Sequence, residues 1–435
     1  MFETFKSIFK VEELRKRIFF TMALLVVYRI GGHIPTPGVD GTILANYMGQ
    51  GTIFGLLDMF AGGAFHKATI FAMGIMPYIS ASIMLQLLGA VVPYLQRLQR
   101  EGEEGRRKIT QYTRYLTVAI AALQAYGTAI FIQSINFNGQ SAVHMGSWPF
   151  IPLTMLTFTC GTIFIMWLGE QITERGIGNG ISLIIFIGII ARFPDAVFEE
   201  AKYVLEDVRP IWLEVVMVGA MIAVVAAVVM MTRAQRRIPV QYPRKVIGRK
   251  VFGGATTHLP LSVNAAGVIP IIFAQSIMML PSTIAQLFPN TEWIQNLVSA
   301  SLSPSTIWYN IIYAIIIVFF AYFYTAIVFN PTEIADNMRK NGGYIPGIRP
   351  GKNTADYIEK ILTRITLPGA LFFAALAILP WMAIGQLHVN FYFGGTGLLI
   401  VVGVALDTLQ QIESHLLMRH YDGFMKKGRI RGRSM

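Results

Sequence analysis

Few side chains in this sequence belong to the types that perform chemistry. Seven histidines are scattered, and none pairs with a carboxylate at helical spacing inside a long apolar run. There is no H-E-x-x-H for zinc, no G-x-S-x-G nucleophile elbow and no phosphate-cradling glycine loop. Cys160 is the single cysteine, so no intramolecular disulfide can form, and no Cys/His grouping has metal-ligand spacing. The sequence therefore predicts a protein that is not an enzyme and that holds neither a metal nor another cofactor.

Charge inside the apolar runs is also sparse. Arg29, Arg192, Glu214, Asp407 and Glu413 fall within them, mostly towards their ends, and Asp407 is placed deepest. Intramembrane charge is costly and marks ion pathways when it is present. A secondary transporter with inverted repeats is the alternative function, and Asp407 is its one reasonable coupling site. What the runs offer instead is isoleucine. Ile75 and Ile79 lie four apart, as do Ile181 and Ile185, and residues four apart share a helix face. Ile272 and Ile400 stand in later runs. Contact with lipid or neighbouring helices is the plain reading of such isoleucines; a pore lining is the functional one.

The elements that must position these residues follow from composition. The chain is 54% hydrophobic and 14% charged, with mean hydropathy +0.53, against about 25% charged in a soluble domain. Ten apolar runs are expected to cross a membrane as helices: 18–34, 70–92, 115–135, 150–169, 179–193, 211–231, 265–288, 308–330, 366–385 and 395–418. Residues 1–17 read as a basic amphipathic helix on the membrane surface rather than a secretory signal. Lys and Arg concentrate in 1–17, 93–114, 232–264, 331–365 and from Arg419 onward, alternating with poor segments. The positive-inside rule then places both termini in the cytoplasm. Topology accounts for most of the net charge of +12. The loops 232–264 and 331–365 are long, basic and broken by Gly and Pro, which suits a large partner with an acidic or phosphate surface.

Two halves are suggested by an echo. "GIMPYISASIM" from Gly74 and "GVIPIIFAQSIM" from Gly267 share G-x-x-P-x-I-x-A. They sit in spans two and seven, five apart, so the second half, 211–418, is inverted relative to the first, 18–193, with 194–210 an external hinge loop between them. A basic tail occupies 419–435. Just before span two, "TIFGLLDMFAGGAFH" is too apolar for water and too short and glycine-rich to cross. A re-entrant or interfacial hairpin is its ordinary reading.

The runs "FAMGIMPYISASIMLQLL", "MWLGEQITERGIGNGISLIIF", "THLPLSVNAAGVIPIIFA", "NGGYIPGIRPG" and "YFGGTGLLIVV" closely resemble those of the SecY family, the channel subunit of the bacterial protein translocase, across all ten spans. The resemblance implies an all-α membrane protein of ten transmembrane helices, in two inverted pseudo-symmetric five-helix halves around a central hourglass pore. It implies passage of unfolded polypeptides across the bacterial cytoplasmic (inner) membrane and sideways release of hydrophobic segments into lipid. The pore ring would be Ile75, Ile79, Ile181, Ile185, Ile272 and Ile400. A plug at 53–66 would use Ile53, Phe54, Leu56, Leu57, Met59, Phe60, Gly62 and Gly63, with Asp58 and His66 keeping it from adhering irreversibly. A lateral gate would use Ser80, Ser82, Gln86, Gln124 and Gln275. Docking of the SecA motor ATPase or the ribosome would fall to Arg236, Arg237, Arg244, Lys245, Arg249, Lys250, Arg339, Lys340, Arg349 and Lys352. Small subunits SecE and SecG, signal peptides and unfolded precursors are the further partners implied.

Overall fold

The structure is a computed structural model that describes residues 11–48, 58, 61–137, 140–206, 210–242, 245–247, 250–252, 256–264, 267–287, 291, 293, 296, 298, 306–387 and 395–427. A helix occupies each of the ten expected runs: α1 (Glu12–Gly31), α3 (Met76–Val91), α5 (Glu103–Ser134), α6 (Ser147–Arg175), α7 (Gly180–Ile190), α9 (Ile211–Arg233), α10 (Ile269–Met278) with α11 (Leu280–Leu287), α12 (Ile307–Val328), α14 (Lys352–Leu387) and α15 (Gly395–Lys427). Shorter helices are α2 (Gly41–Met48), α4 (Pro93–Arg100), α8 (Phe193–Leu205) and α13 (Pro331–Lys340). Among the described residues, seven helices are long and apolar enough to cross a membrane, or eight if α3 and α4 count as one span bent by 103°.

The deviations from the apolar runs have local causes. Proline lacks an amide hydrogen and disfavours helix in the residue before it. Pro93 opens α4 at the bend after Val91, and Pro281 lies just past the break between α10 and α11. The second run is turn up to Ile75 and helical only from Met76. α1 begins at Glu12, so the described part of the basic N-terminal segment is continuous with span one. The segment 194–210, expected as a loop, is helical over Phe193–Leu205; Asp195 in its first turn and Lys202 in its last complement the helix dipole. α14 has 36 residues, about 54 Å at 1.5 Å per residue, and starts well before its apolar stretch.

Contacts group the chain into two compact units. This grouping differs from the two sequence halves. The first unit contains residues 1–197, 279–299 and 404–435; the second contains 198–278 and 300–403. In the first, α5 packs on α3, α4, α6 and α11, and α6 packs on α1 and α7. Arg114 on α5 makes a bidentate pair with Glu170 on α6, at 2.9 and 2.8 Å. Tyr28, Phe71 and Phe164 stack in sequence, their centroids 6.0 and 5.9 Å apart. The "GIGNG" turn into α7 is anchored by side chains of α15, α1 and α6: the Gly178 amide donates to Gln411 Oε1, Ile177 to Thr21 Oγ1 and Gly180 to Thr173 Oγ1. Asn179 then caps the helix by accepting from the Ile181 and Ser182 amides.

In the second unit α12 packs on α10 and α14. The two basic loops expected as separate segments are joined here. Strands β3 (Gln235–Gln241) and β6 (Thr256–Ser262) pair antiparallel. Short β4 (Lys245–Ile247) and β5 (Lys250–Phe252) form a second antiparallel pair between them. Ile238 and Val240 alternate inward from β3 and meet Leu261, Met338 of α13, Ile345, and Ile358 and Leu362 of α14 in one hydrophobic core. Tyr344 and Gln241 exchange both backbone hydrogen bonds, at 2.9 and 3.0 Å, and Tyr344 Oη also donates to Gln241 Oε1.

Candidate functional site

The two echoed segments adopt the same local structure. Gly74 and Gly267 both have positive φ, +56° and +63°, which glycine adopts without steric cost. Each stands one residue before the helix cap, and Pro77 and Pro270 each occupy the second helical position, where a missing amide hydrogen costs nothing. Ile75 O accepts from Tyr78 and Ile79 N, at 3.1 and 3.2 Å; Val268 O accepts from Ile271 and Ile272 N, both at 3.2 Å. Ile79 and Ile272 therefore hold equivalent places, each on the first turn of a proline-marked half-helix.

Ring candidates occur in both units. Ile75, Ile79 and Ile185 are buried and Ile181 is half-buried in the first; Ile272 and Ile400 are buried in the second. α7 presents Ile181 and Ile185 on successive turns.

The plug candidates Ile53, Phe54, Leu56, Leu57, Met59 and Phe60 lie outside the described residues. Gly62, Gly63, Asp58 and 61–69 are described. Gly62 has φ +65°, and a Cβ there would fall 2.8 Å from Gly188 Cα, so this backbone lies directly against α7. Asp58 and His66, which the sequence offered as polar groups of the segment, are bonded to each other. Asp58 is 3% exposed and its carboxylate is saturated. Oδ1 accepts from the Phe65 and His66 amides, each at 3.0 Å. Oδ2 meets His66 Nδ1 at 3.0 Å and Arg192 Nη1 at 3.1 Å. Arg29 Nη1 donates to Gly62 O at 3.3 Å. Burial pushes the Asp58 carboxyl up, but the His66 hydrogen bond and the Arg192 charge outweigh it and hold it below the ordinary carboxylate value. Arg29 and Arg192, which the sequence offered only as charges near span ends, are the residues it missed here. Their isolation among apolar residues was the available signal, since a charge kept there needs a partner.

Of the gate candidates, Gln86 Nε2 donates to Ser82 Oγ at 3.2 Å within α3, while Ser80 and Gln124 are half-buried on α3 and α5. Gln275 is 2% exposed on α10, pairs with Tyr309 of α12, and its Nε2 has no hydrogen-bond partner among the described residues. Asp407, expected to be the deepest charge, is exposed on α15. It lies one turn beyond Val404, which is buried. Among the described residues no group of His, Cys, Asp or Glu could hold a metal ion.

The described docking candidates are gathered by the shared core of the second unit. Arg236 and Arg237 are exposed on β3, Arg339 and Lys340 on the last turn of α13, and Lys352 opens α14. Arg349 is exposed, its carbonyl fixed by the Thr354 hydroxyl at 3.0 Å. Lys245 and Lys250 are strand residues of β4 and β5, and Arg244 and Arg249 lie outside the described residues.

The sequence profile of the SecY family matches residues 69–409. A protein translocase subunit SecY of Streptomyces scabiei is 47% identical, covering 98% of this chain and 100% of its own length. That of Thermotoga maritima is 44% identical over 100% of both. Among solved structures, the fold is similar to one described as a protein-conducting channel, with TM-score 0.66 and 18% identity over 92% of this chain and 91% of that one. It is similar also to Sec61 in a canine ribosome–channel complex from the endoplasmic reticulum, with TM-score 0.63 and 17% identity over the same shares.

Proposed function

We propose, from the premise that this chain belongs to the SecY family of protein translocase subunits, that the six isoleucines form the constriction through which it conducts unfolded polypeptides. The observation that carries this reading is the burial of Ile75, Ile79, Ile185, Ile272 and Ile400, in part on matched proline-marked half-helices. A collar of branched apolar side chains makes a narrow, dewetted gap that resists water and ions. Its dispersion contacts, about 0.1–0.2 kcal/mol per atom pair, are non-directional. They fit any passing side chain and bind none tightly.

Around that ring, residues 53–66 act as the plug. The two sequence halves move about the segment 194–210. Spans two and three part from spans seven and eight to release hydrophobic segments to lipid. Ser80, Ser82, Gln86, Gln124 and Gln275 line that seam; interhelical polar contacts average only about 0.6 kcal/mol, as a seal that must open requires. SecA or the ribosome docks on the basic surface of the second unit, and SecE and SecG complete the complex. The family is a channel family, so the energy comes from the docked partner. The protein sits in the bacterial cytoplasmic membrane with both termini in the cytoplasm, on the alternation of basic loops.

The test is crosslinking. Cysteines placed by Ile79→Cys, Ile185→Cys, Ile272→Cys and Ile400→Cys, each in a Cys160→Ser background, are expected to react with a precursor stalled in the channel, whereas Leu371→Cys, exposed on α14, does not. A stalled precursor that reaches none of the four positions removes the ring.

A further inference from the structure

The contacts of Asp58 carry a consequence for how the channel selects what opens it. We propose that Asp58, His66 and Arg192 form an ion-paired latch that ties the plug segment to α7 and sets the threshold at which a substrate opens the pore. The inference rests on the reading of residues 53–66 as a plug.

Three features set this cluster apart from ordinary helix packing. Its carboxylate is buried, with a side chain 4% exposed, and both oxygens are engaged. Its cation comes from a separate element: Arg192 follows the end of α7, the helix that carries Ile181 and Ile185. Its position is fixed from two sides, because Gly62 lies against Gly188 of α7 and Arg29 of α1 holds the Gly62 carbonyl. The pair therefore connects the plug segment to the helix bearing two ring positions.

Displacing the segment breaks the pair. Breaking one partner away from a buried ion pair leaves an uncompensated charge, which is far more costly than losing an exposed pair. The segment therefore leaves only when something else supplies the energy, and Arg192 and Asp58 must rehydrate together. A weak signal segment, which contributes little interaction energy at the gate, cannot open such a latch; a strong one can. In this view Asp58 and Arg192 are specificity-determining residues, and His66 is a positioning residue that orients the carboxylate through Nδ1.

The test uses the full chain in reconstituted, assembled translocons. Two quantities are measured per channel: resting ion conductance, and transport of a precursor with a weakened signal segment. Removing the cation leaves the buried Asp58 carboxylate without its ion-pair partner, so Arg192→Gln is expected to raise both about 10- to 100-fold. Arg192→Lys, which keeps the charge, recovers most of the closure. Asp58→Asn combined with Arg192→Gln adds little to the more severe single variant, as a shared interaction demands. Wild-type conductance and selection in Arg192→Gln, or full additivity of the two substitutions, overturns the latch. A channel lacking residues 53–66 separates the two ideas. If it leaks while Arg192→Gln stays tight, the plug stands and the latch fails. If it does not leak, the plug reading fails and takes the latch with it.

Discussion

Asp58 shows how much one residue's role depends on what reaches it. By type, an acid in an apolar stretch is a solubilising group; with three hydrogen-bond partners and the Arg192 charge within 3.1 Å it becomes an anchor. Gly62 makes the same point through shape. Its φ of +65° and the 2.8 Å approach a Cβ would make to Gly188 leave no room for a side chain. A left-handed conformation costs an ordinary residue about 1–2 kcal/mol before any clash. Gly62→Ala is therefore expected to push the segment off α7 and raise resting ion conductance. Gly219→Ala serves as the control, because a Cβ there meets nothing within 4 Å. Single-channel recording that finds the two variants alike would detach Gly62 from closure.

At the scale of elements, the basic loops behave as one small folded body. β3, β6, α13 and the first turns of α14 share a core whose central residue, Ile358, is fully buried. The exposed cations sit on the rim of that core, so their mutual geometry depends on it. Ile358→Ala should cost about 2–5 kcal/mol locally, as buried large-to-small substitutions do. Limited proteolysis is expected to cut near 243–255 far faster in the variant, while the apolar helices stay protected. Equal cleavage rates in the two proteins would show that the hairpin holds its shape without this core. The alternation of Ile238 and Val240 with exposed Arg237 and Pro239 was visible in the sequence as a half-buried strand. Basic charge and Gly/Pro punctuation dominate the segment and mask that alternation.

For the whole molecule, the proposed function requires a partner that pushes, and in that reading the basic surface of the second unit is its dock. Arg349 is exposed on a segment whose backbone is held by Thr354 and, through Ile345, by the shared core. Arg349→Glu reverses a charge without touching a buried contact. Motor-driven export into vesicles is expected to fall at least tenfold, while the amount of the variant assembled in the membrane stays at the wild-type level. Export of the variant at the wild-type rate would take Arg349 out of the docking surface. Raising salt should weaken docking of the wild type as well, since exposed charges are screened beyond about 8–10 Å at ordinary ionic strength.

The sequence alone determined the membrane class, the ten helical runs and the echo between spans two and seven. Each of these is written in local pattern: runs of apolar residues that lipid requires, and a glycine and a proline at fixed offsets that permit only certain backbone angles. It also marked the isoleucines and the cationic loops by type. Tertiary structure decided which distant residues meet. Asp58 with Arg192, Gly178 with Gln411, and Ile238 with Ile358 are each far apart in the chain. Nothing in local spacing encodes such pairs, because they arise from how helices and strands pack after they form. The break after Met278 and the helix over Phe193–Leu205 differ: their local causes, Pro281 beside the break and Asp195 and Lys202 at the helix ends, are in the sequence but not in its hydropathy.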